Sequence, residues 1–436
     1  MKKLLPLFVS AALGTLSSAV WAENLAEIYN QAKENDPQLL SVAAQRDAAF
    51  EAVTSSRSAL LPQINLTAGY NINRSDQDPR ESDLLSAGIN FSQELYQRSS
   101  WVSLDTAEKK ARQADSQYAA TQQGLILRVA KAYFEVLRAQ DNLEFVRAEK
   151  AAVGRQLEQT KQRFEVGLSA ITDVHDAQAQ FDGVLADEVL AENSLTNSYE
   201  ALREITGQEY SKLAVLDTKR FAASRTTESS EALIEKAQQQ NLSLLAARIS
   251  QDVARDNISL ASSGHLPSLT LDGDYNYADN RNSNASSPSD YNDFKIGVNL
   301  KVPLYTGGKT TSLTKQAEFA YVAASQDLEA AYRSVVKDVR AYNNNINASI
   351  GALRAYEQAV ISAKSALEAT EAGFDVGTRT IVDVLDATRR LYDANKNLSN
   401  ARYDYILSVL QLRQAIGTLS EQDVMDVNAG LKVAKK

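Results

Sequence analysis

The sequence predicts an α+β chain that contains two copies of one structural unit, each with two short strands and two very long helices. Three observations predict it: segments recur in both halves, short stretches alternate apolar and polar residues, and long stretches carry apolar residues every three or four positions. Residues 61–66 are echoed 205 residues later by residues 266–271, and Phe164–Gly167 is echoed 210 residues later by Phe374–Gly377. Offsets that stay this similar indicate an internal structural duplication.

The first 22 residues predict a signal peptide that is removed on export. Lys2 and Lys3 precede a short apolar stretch, which ends in small residues at the cleavage positions before Glu23. A membrane anchor is the alternative, but the stretch is short for a bilayer span. The formal charge of −9 becomes −11 without the two lysines. An acidic exported chain without a basic tract argues against nucleic-acid binding, and the absence of cysteine excludes disulfides and thiolate chemistry.

One order of elements is common to both halves: a helical stretch, two strands joined by a polar loop, and a long helical hairpin. In the first repeat (23–220) the predicted boundaries are Leu25–Ser56 for the helix, 62–74 and 84–96 for the strands, Arg74–Ser82 for the loop, and 166–173 for the hairpin tip. In the second repeat (221–436) they are Ala232–Ser262, 267–278 and 293–305, Ala278–Asn292, and 376–383, followed by a C-terminal segment.

The four predicted strands each have one apolar and one polar face. Their apolar residues are Ile64, Leu66, Ala68, Tyr70 and Ile72; Leu85, Ala87, Ile89 and Phe91; Leu269, Leu271, Tyr275 and Tyr277; and Phe294, Ile296, Val298, Leu300 and Val302. About ten such residues suit a tilted strand that crosses a bilayer between lipid and a water-filled lumen. A soluble antiparallel sheet is the alternative, but no spare element is left to cover it.

Four strands are too few to close a membrane barrel. The smallest single-chain barrels need about eight strands, and an open sheet edge in lipid leaves unpaired backbone groups that cost several kcal/mol each. The sequence therefore predicts that at least two copies share one barrel. The connecting loops are polar and are expected to face outside.

The long helices carry a seven-residue seam of apolar and small residues. In the last helix it comprises Val384, Ala387, Leu391, Ala394, Leu398, Ala401, Tyr405, Ser408, Leu412 and Ala415. The ascending helices show the same spacing at Val153, Leu157, Thr160 and Phe164 and at Ala363, Leu367, Thr370 and Phe374. Strict alternation of three and four residues is typical of left-handed coiled coils. A helix from about Arg98 to Phe164 would be on the order of 100 Å long and needs neighbours to pack against.

These features together resemble the TolC family of outer-membrane factors (outer membrane efflux proteins) over nearly the whole mature chain. The likeness is carried by residues 23–25 and 60–63, and above all by Gln162–Leu168, Ala170–Val174 and Val376–Thr388. The resemblance implies a homotrimeric twelve-stranded β-barrel, four strands per protomer, continued by an α-helical coiled-coil barrel that tapers at its periplasmic end.

The resemblance also implies a place and partners for the chain. It implies an outer-membrane channel with a large periplasmic helical domain, which serves as the exit duct of tripartite multidrug efflux pumps and type I protein secretion systems. It implies docking to a periplasmic adaptor (membrane fusion) protein and to an inner-membrane efflux transporter or ABC exporter. A soluble periplasmic coiled-coil adaptor or scaffold is the alternative function.

Two aspartates near the second hairpin tip are candidate constriction residues. Asp383 and Asp386 are three residues apart, so on a helix they share one face. From the residues alone, a solvated helix face is the simpler interpretation. The resemblance implies instead that they form acidic rings on the channel axis, and such rings attract cations in a narrow pore.

The same resemblance assigns a gate and a docking surface. Arg379 resembles an arginine that tethers neighbouring coiled coils, with Thr172 and Asp173 as its partners. Phe374 departs from the family pattern, which commonly has tyrosine there, so one hydrogen bond of the closing network is absent. The tips expected to contact the adaptor are Val166, Gly167, Leu168 and Ser169, together with Val376, Gly377 and Thr378. Each glycine also supplies a permissive turn conformation, which is the simpler explanation for it.

No catalytic, cofactor or metal set is predicted, and the chain is expected not to be an enzyme. Gly308-Lys309-Thr310 resembles the end of a phosphate-binding loop, but Pro303 occupies the position of its first glycine. His175 and His265 are the two histidines and lie at unrelated points of the repeat. The sequence therefore predicts a passive conduit.

Overall fold

The computed structural model describes residues 23–74, 82–280 and 290–432, which form a mostly helical chain with a small sheet. The elements are α1 Leu25–Asn35, α2 Pro37–Ser58, β1 Gln63–Asn73, β2 Ser82–Gln97, α3 Arg98–Glu165, α4 Ile171–Thr206, β3 Val215–Leu216, α5 Ser230–Gln240, α6 Leu242–Ser262, β4 Ser268–Asn280, β5 Asp290–Lys301, α7 Lys309–Asp375, α8 Ile381–Ile416, α9 Glu421–Ala429 and β6 Leu431–Lys432. The order of two helices, two strands and a helical hairpin occurs twice. The predicted signal peptide and most of both predicted polar loops lie outside the described residues.

The main sheet joins the two halves of the chain. Its order is β1-β2-β4-β5, and every neighbouring pair is antiparallel. β2 of the first half pairs with β4 of the second, with Ile89 opposite Tyr275. The strands β1 and β5 are the outer strands, and within the described chain each pairs on one side only.

The described residues do not cover the apolar face of this sheet. Almost every residue of β1 and β5 is exposed, including the predicted apolar set; Ile64, for example, is 69% exposed and Ile296 is 66% exposed. A soluble antiparallel sheet buries its apolar face against another layer. Within the described residues, this sheet therefore lacks the covering layer of a soluble sheet.

The fourth strand differs from its predicted range of 293–305. It begins at Asp290 and ends at Lys301, two residues before Pro303, which has no N–H group for a strand ladder. The chain then turns through Gly307 and Gly308, which have φ values of 63° and 81°. Glycine adopts this left-handed conformation without steric cost. These residues redirect the chain from the sheet into α7.

Each predicted first helix is in fact two helices. The predicted helix Leu25–Ser56 is interrupted at Asp36, and the predicted helix Ala232–Ser262 is interrupted at Asn241. Both residues are extended, with ψ values of 114° and 118°. Pro37 explains the first break, because the residue before a proline is disfavoured in helical conformation. Asn241 makes the second break without a proline, by accepting a hydrogen bond from Leu244 N at 2.8 Å.

The long helices form two hairpins, α3 with α4 and α7 with α8. α3 contains 68 residues, or about 100 Å at 1.5 Å per residue. Most of the predicted α8 seam is buried, including Val384, Leu398 and Leu412. Phe164 of the predicted seam is exposed in the single chain, whereas its counterpart Phe374 is buried. None of the described helices is long and apolar enough to cross a membrane.

An apolar cluster near the hairpin tips joins the two hairpins. We call it the tip cluster, and it consists of Val153, Leu157, Ala177, Val184, Phe374, Ile381, Val384 and Leu385. These residues come from all four long helices. Burial of apolar surface contributes about 25 cal/mol per Å², so the cluster stabilises the packing of one hairpin on the other.

Candidate functional site at the hairpin tips

Both hairpins turn by the same local geometry. Gly167 and Gly377 have φ values of 80° and 79°. In the first hairpin the Leu168 N–H donates a hydrogen bond to the Arg163 carbonyl oxygen at 2.7 Å, and the second hairpin repeats the bond at equivalent positions. This is the Schellman arrangement, which satisfies the last carbonyl groups of a helix and favours glycine. Both glycines therefore have a structural role in their turns, which does not depend on any partner that the tips contact.

The predicted docking residues lie on the surface of these turns. Val166, Leu168 and Val376 are large apolar side chains that are each about three-quarters exposed. Of the remaining predicted tip residues, Gly167, Gly377 and Thr378 are exposed and Ser169 is half-buried. The Ser169 hydroxyl donates a hydrogen bond to Asp173 at 2.7 Å. Apolar side chains at an exposed tip are available for contact with a partner.

Asp383 caps the start of α8. Its carboxylate accepts hydrogen bonds from the Thr380 N–H and hydroxyl, both at 2.9 Å, and its own N–H donates to the Thr380 hydroxyl oxygen at 3.2 Å. This is a capping box. The bonds from Thr380, with the nearby charge of Arg379, lower the pKa of Asp383 from its usual range. The carboxylate is thus ionised at neutral pH.

Asp386 lies almost one helical turn further along α8. Its carboxylate is exposed and lies 3.3 Å from the Arg390 guanidinium, four residues on. Such exposed pairs contribute little to stability, about 0.3–0.5 kcal/mol. One chain therefore presents two carboxylates at the start of α8, of which Asp383 is held by the helix cap and Asp386 is held only weakly.

Arg379 lies beside Gly373 of its own chain. A Cβ placed on Gly373 would lie 2.8 Å from the Arg379 Cγ, so the absence of a side chain makes room for the arginine. Asp173 instead accepts hydrogen bonds from Ser169 and from the Ala170 N–H. Within the described residues of one chain, Arg379 forms no hydrogen bond or ion pair with Thr172 or Asp173.

Phe374 has a charged neighbour that the sequence did not indicate. Its ring is buried in the tip cluster, and the guanidinium carbon of Arg163 lies 4.6 Å from the ring centre. In the sequence, Phe374 is distinguished only by the hydroxyl that it lacks. The contact crosses from the first hairpin to the second, so no local spacing could have revealed it.

No group of three or more histidine, aspartate or glutamate residues that could hold a metal ion occurs in the described part of the chain. His175 lies exposed near the first turn. The hairpin tips present the carboxylates of Asp173, Asp383 and Asp386, the guanidinium groups of Arg163 and Arg379, and exposed apolar turn residues.

Comparison with known proteins identifies relatives along the whole chain. The family model described as outer membrane efflux protein matches residues 28–208 and 233–418, one segment in each half. The chain is 97% identical over 438 residues to the outer membrane protein TolC of Vibrio cholerae serotype O1, covering all of both chains. It is 47% identical over 443 residues to TolC of Escherichia coli K12, covering 99% of this chain and 90% of that one.

A more distant relative and a solved structure agree with this assignment. The alkaline protease secretion protein AprF of Pseudomonas aeruginosa is 30% identical over 442 residues, covering 97% of this chain and 90% of AprF. The Campylobacter jejuni CmeC outer membrane channel has a TM-score of 0.80 at 15% identity, covering 99% of this chain and 98% of CmeC, and it supports the fold alone. The chain belongs to the outer membrane efflux protein family and is a protein of the outer membrane.

Proposed function

We propose that three copies of the chain form an outer-membrane channel, the exit duct of tripartite multidrug efflux pumps and type I protein secretion systems. One observation carries the proposal: the four-stranded sheet exposes its apolar face and leaves one side of β1 and of β5 unpaired within the described chain. Pairing β5 of each copy with β1 of the next closes a barrel of twelve strands. Closure satisfies every strand edge, which lipid requires.

The hairpins continue this barrel as a periplasmic tunnel of packed helices. Signal-peptide removal at residue 22 and the division into repeats 23–220 and 221–436 belong to the same proposal. The family description and the name of one relative support the export of different cargo: the family is one of efflux proteins, and AprF is an alkaline protease secretion protein. The chain itself hydrolyses nothing in this scheme, and its partners supply the energy.

The hairpin tips form the proposed entrance of the tunnel. Asp383 and Asp386 of three chains form two acidic rings on the axis, which attract cations and repel anions. Arg379 reaches Thr172 and Asp173 of a neighbouring chain and holds the entrance closed, with the Phe374 ring packed behind it. Arg379 lies against Gly373 and is exposed, which leaves its side chain accessible to another chain.

The exposed turns are the proposed docking surface for the periplasmic adaptor protein. Val166, Leu168 and Val376 offer apolar contact, and Gly167, Ser169, Gly377 and Thr378 leave the backbone accessible. An adaptor seated there connects the channel to an inner-membrane efflux transporter or ABC exporter. Movement of the hairpins at this end is the mechanical step that opens the duct.

Ion selectivity in planar bilayers tests the proposed channel and its constriction. Asp383→Asn with Asp386→Asn removes both charges, and asparagine at 383 still accepts the capping hydrogen bond. The expected result is a channel of similar conductance whose preference for cations falls several-fold, because rings of charged side chains set selectivity. The control is Thr380→Ala, which weakens the cap and keeps both carboxylates. Unaltered selectivity in the double variant would remove the two aspartates from the pore axis.

The soluble adaptor has no support among the relatives, several of which are named as proteins or channels of the outer membrane. A soluble adaptor is expected to be extracted from cell envelopes without detergent. Membrane fractionation distinguishes the two functions, because the proposed channel is expected in the outer-membrane fraction and to need detergent for release.

A further inference from the structure

One contact ties the end of the first hairpin to the end of the second within the same chain. Arg163 lies in the last turn of α3, and its guanidinium carbon lies 4.6 Å from the centre of the Phe374 ring, near the end of α7. A guanidinium within about 6 Å of a ring centre is attracted to the face of the ring. The Phe374 side chain is 8% exposed, so the ring is fixed by its packing in the tip cluster.

The surroundings of Arg163 favour this attraction. The Arg163 Nε is buried and forms no hydrogen bond with the described residues. Cation–ring attraction is stronger when the cation has lost part of its water. The guanidinium is therefore held against the ring by an interaction that separation of the two hairpins would remove.

The internal duplication provides a comparison within the chain. Arg163 corresponds to Gly373, and Phe374 corresponds to Phe164, in each case at a distance of 210 residues. Phe164 is 41% exposed, and Gly373 has no side chain that could stack on a ring. Of the two equivalent positions, 163 has an arginine and 373 has a glycine. The ring that contacts the arginine is Phe374, which is the buried one of the two phenylalanines.

We propose that Arg163 is a positioning residue for closure of the entrance: its guanidinium holds Phe374, and with it the second hairpin, against the first hairpin of the same chain. The inference rests on the proposed function, because it assigns the contact to a gate. It differs from the Arg379 tether, whose proposed partners belong to a neighbouring chain. It also gives the ring at position 374 a function that needs no hydroxyl.

Resting conductance in planar bilayers tests the inference. Arg163→Ala is expected to raise the open-to-closed ratio about tenfold, which corresponds to about 1.4 kcal/mol. Arg163→Lys keeps the charge without the planar group and is expected to restore part of the closure. The matched control is Phe164→Ala, which removes the equivalent ring of the first repeat and is expected to leave the resting conductance unaltered.

A double-mutant cycle with Phe374→Leu shows whether the two residues act through one contact. Leucine keeps an apolar side chain in the tip cluster and removes the ring, so this variant is expected to open as Arg163→Ala does. The combined variant is then expected to open no further than either single variant. The circular dichroism spectrum of each variant is expected to match that of the unaltered protein, which would show that the helical fold is kept.

The contrary outcomes are distinct. Additive effects in the cycle, or an Arg163→Ala channel with the resting conductance of the unaltered protein, would overturn the inference. An unaltered protein that forms no conducting pore would contradict the proposed function instead. The unaltered protein, measured in the same experiment, therefore distinguishes a failure of the inference from a failure of the proposed function.

Discussion

Asp383 and Asp173 occupy equivalent positions, three residues into the descending helix of each hairpin. Asp383 exchanges hydrogen bonds with Thr380. The Asp173 carboxylate likewise accepts one from the Ala170 N–H at 3.2 Å, but the Asp173 N–H donates to the Ala170 carbonyl oxygen at 3.1 Å, because alanine has no side-chain acceptor. A carboxylate in the first turn also interacts favourably with the helix dipole. Both aspartates therefore stabilise the start of a helix. A substitution that tests their charge must keep the hydrogen bonds at that helix start.

Gly373 is expected to control the position of Arg379. Gly373→Ala places a Cβ 2.8 Å from the Arg379 Cγ, so the arginine side chain must leave its place. The resting conductance in planar bilayers is expected to rise toward that of Arg379→Ser, which lacks the tether altogether.

Another glycine of α7 provides the control for this substitution. A Cβ on Gly351 would meet nothing within 4 Å, and Gly351→Ala is expected to leave the gate unaltered while it stabilises the helix by about 1 kcal/mol. If Gly373→Ala kept the resting conductance of the unaltered protein, the space at Gly373 would have no part in the tether.

A break separates α1 from α2 in the first repeat and α5 from α6 in the second, and different contacts stabilise the two breaks. Asp36 accepts a hydrogen bond from Leu39 N at 2.8 Å and binds two guanidinium nitrogens of Arg128 at 2.6 and 3.1 Å. Asn241 accepts the equivalent bond from Leu244 N and donates one to the Ala415 carbonyl oxygen at 2.8 Å. One break thus uses an ion pair, and the other a neutral amide.

Asp36→Ala is expected to lower the free energy of unfolding by about 2 kcal/mol, because it removes a helix cap and leaves the half-buried Arg128 without its partner. Asp36→Asn is expected to cost about half as much, since the amide keeps the cap. Unfolding in detergent, followed by circular dichroism, measures both. The control is Asp47→Ala, which removes an exposed carboxylate of α2 and is expected to change stability by less than about 0.5 kcal/mol. Equal losses for Asp36→Ala and Asp47→Ala would contradict the assigned capping.

The duplication also predicts how copies of the chain pair. Residues 88–91 (Gly-Ile-Asn-Phe) of β2 correspond to residues 297–300 (Gly-Val-Asn-Leu) of β5, and β4 corresponds to β1 at a distance of 205 residues. Within the chain, Gly88 lies opposite Asn276. The equivalent pair in the proposed barrel is Gly297 of one chain and Asn71 of the next.

Cysteines at Gly297 and Asn71 are expected to form disulfides between chains and to yield a covalent trimer in nonreducing electrophoresis. The chain has no cysteine of its own, so every crosslink is assigned without ambiguity. The control pair is Gly297→Cys with Tyr70→Cys, since neighbouring residues of a strand point to opposite faces. A covalent dimer as the largest product, or equal crosslinking of both pairs, would contradict the proposed register and closure.

Periodicity predicted most of the architecture, and contacts between distant segments account for what it missed. The α8 seam at Val384, Leu398 and Leu412 is buried as predicted, because heptad spacing reports which side of a helix packs. Phe164 has the same spacing as Phe374 and is nevertheless exposed, since burial depends on which surface the neighbouring hairpin presents. The ring contact of Arg163 joins residues 211 positions apart, and one chain's sequence carries no signal for it.

The difference between Arg163 and Gly373 has a consequence for how six hairpins could separate. In the proposed trimer, each subunit has one cation–ring contact between its two hairpins, and the equivalent position of the repeat has none. Opening that separates the hairpins of every subunit therefore breaks three such contacts at once. Because the three contacts are identical by symmetry, one substitution in the sequence changes all of them, and opening is expected to respond steeply to the strength of a single contact.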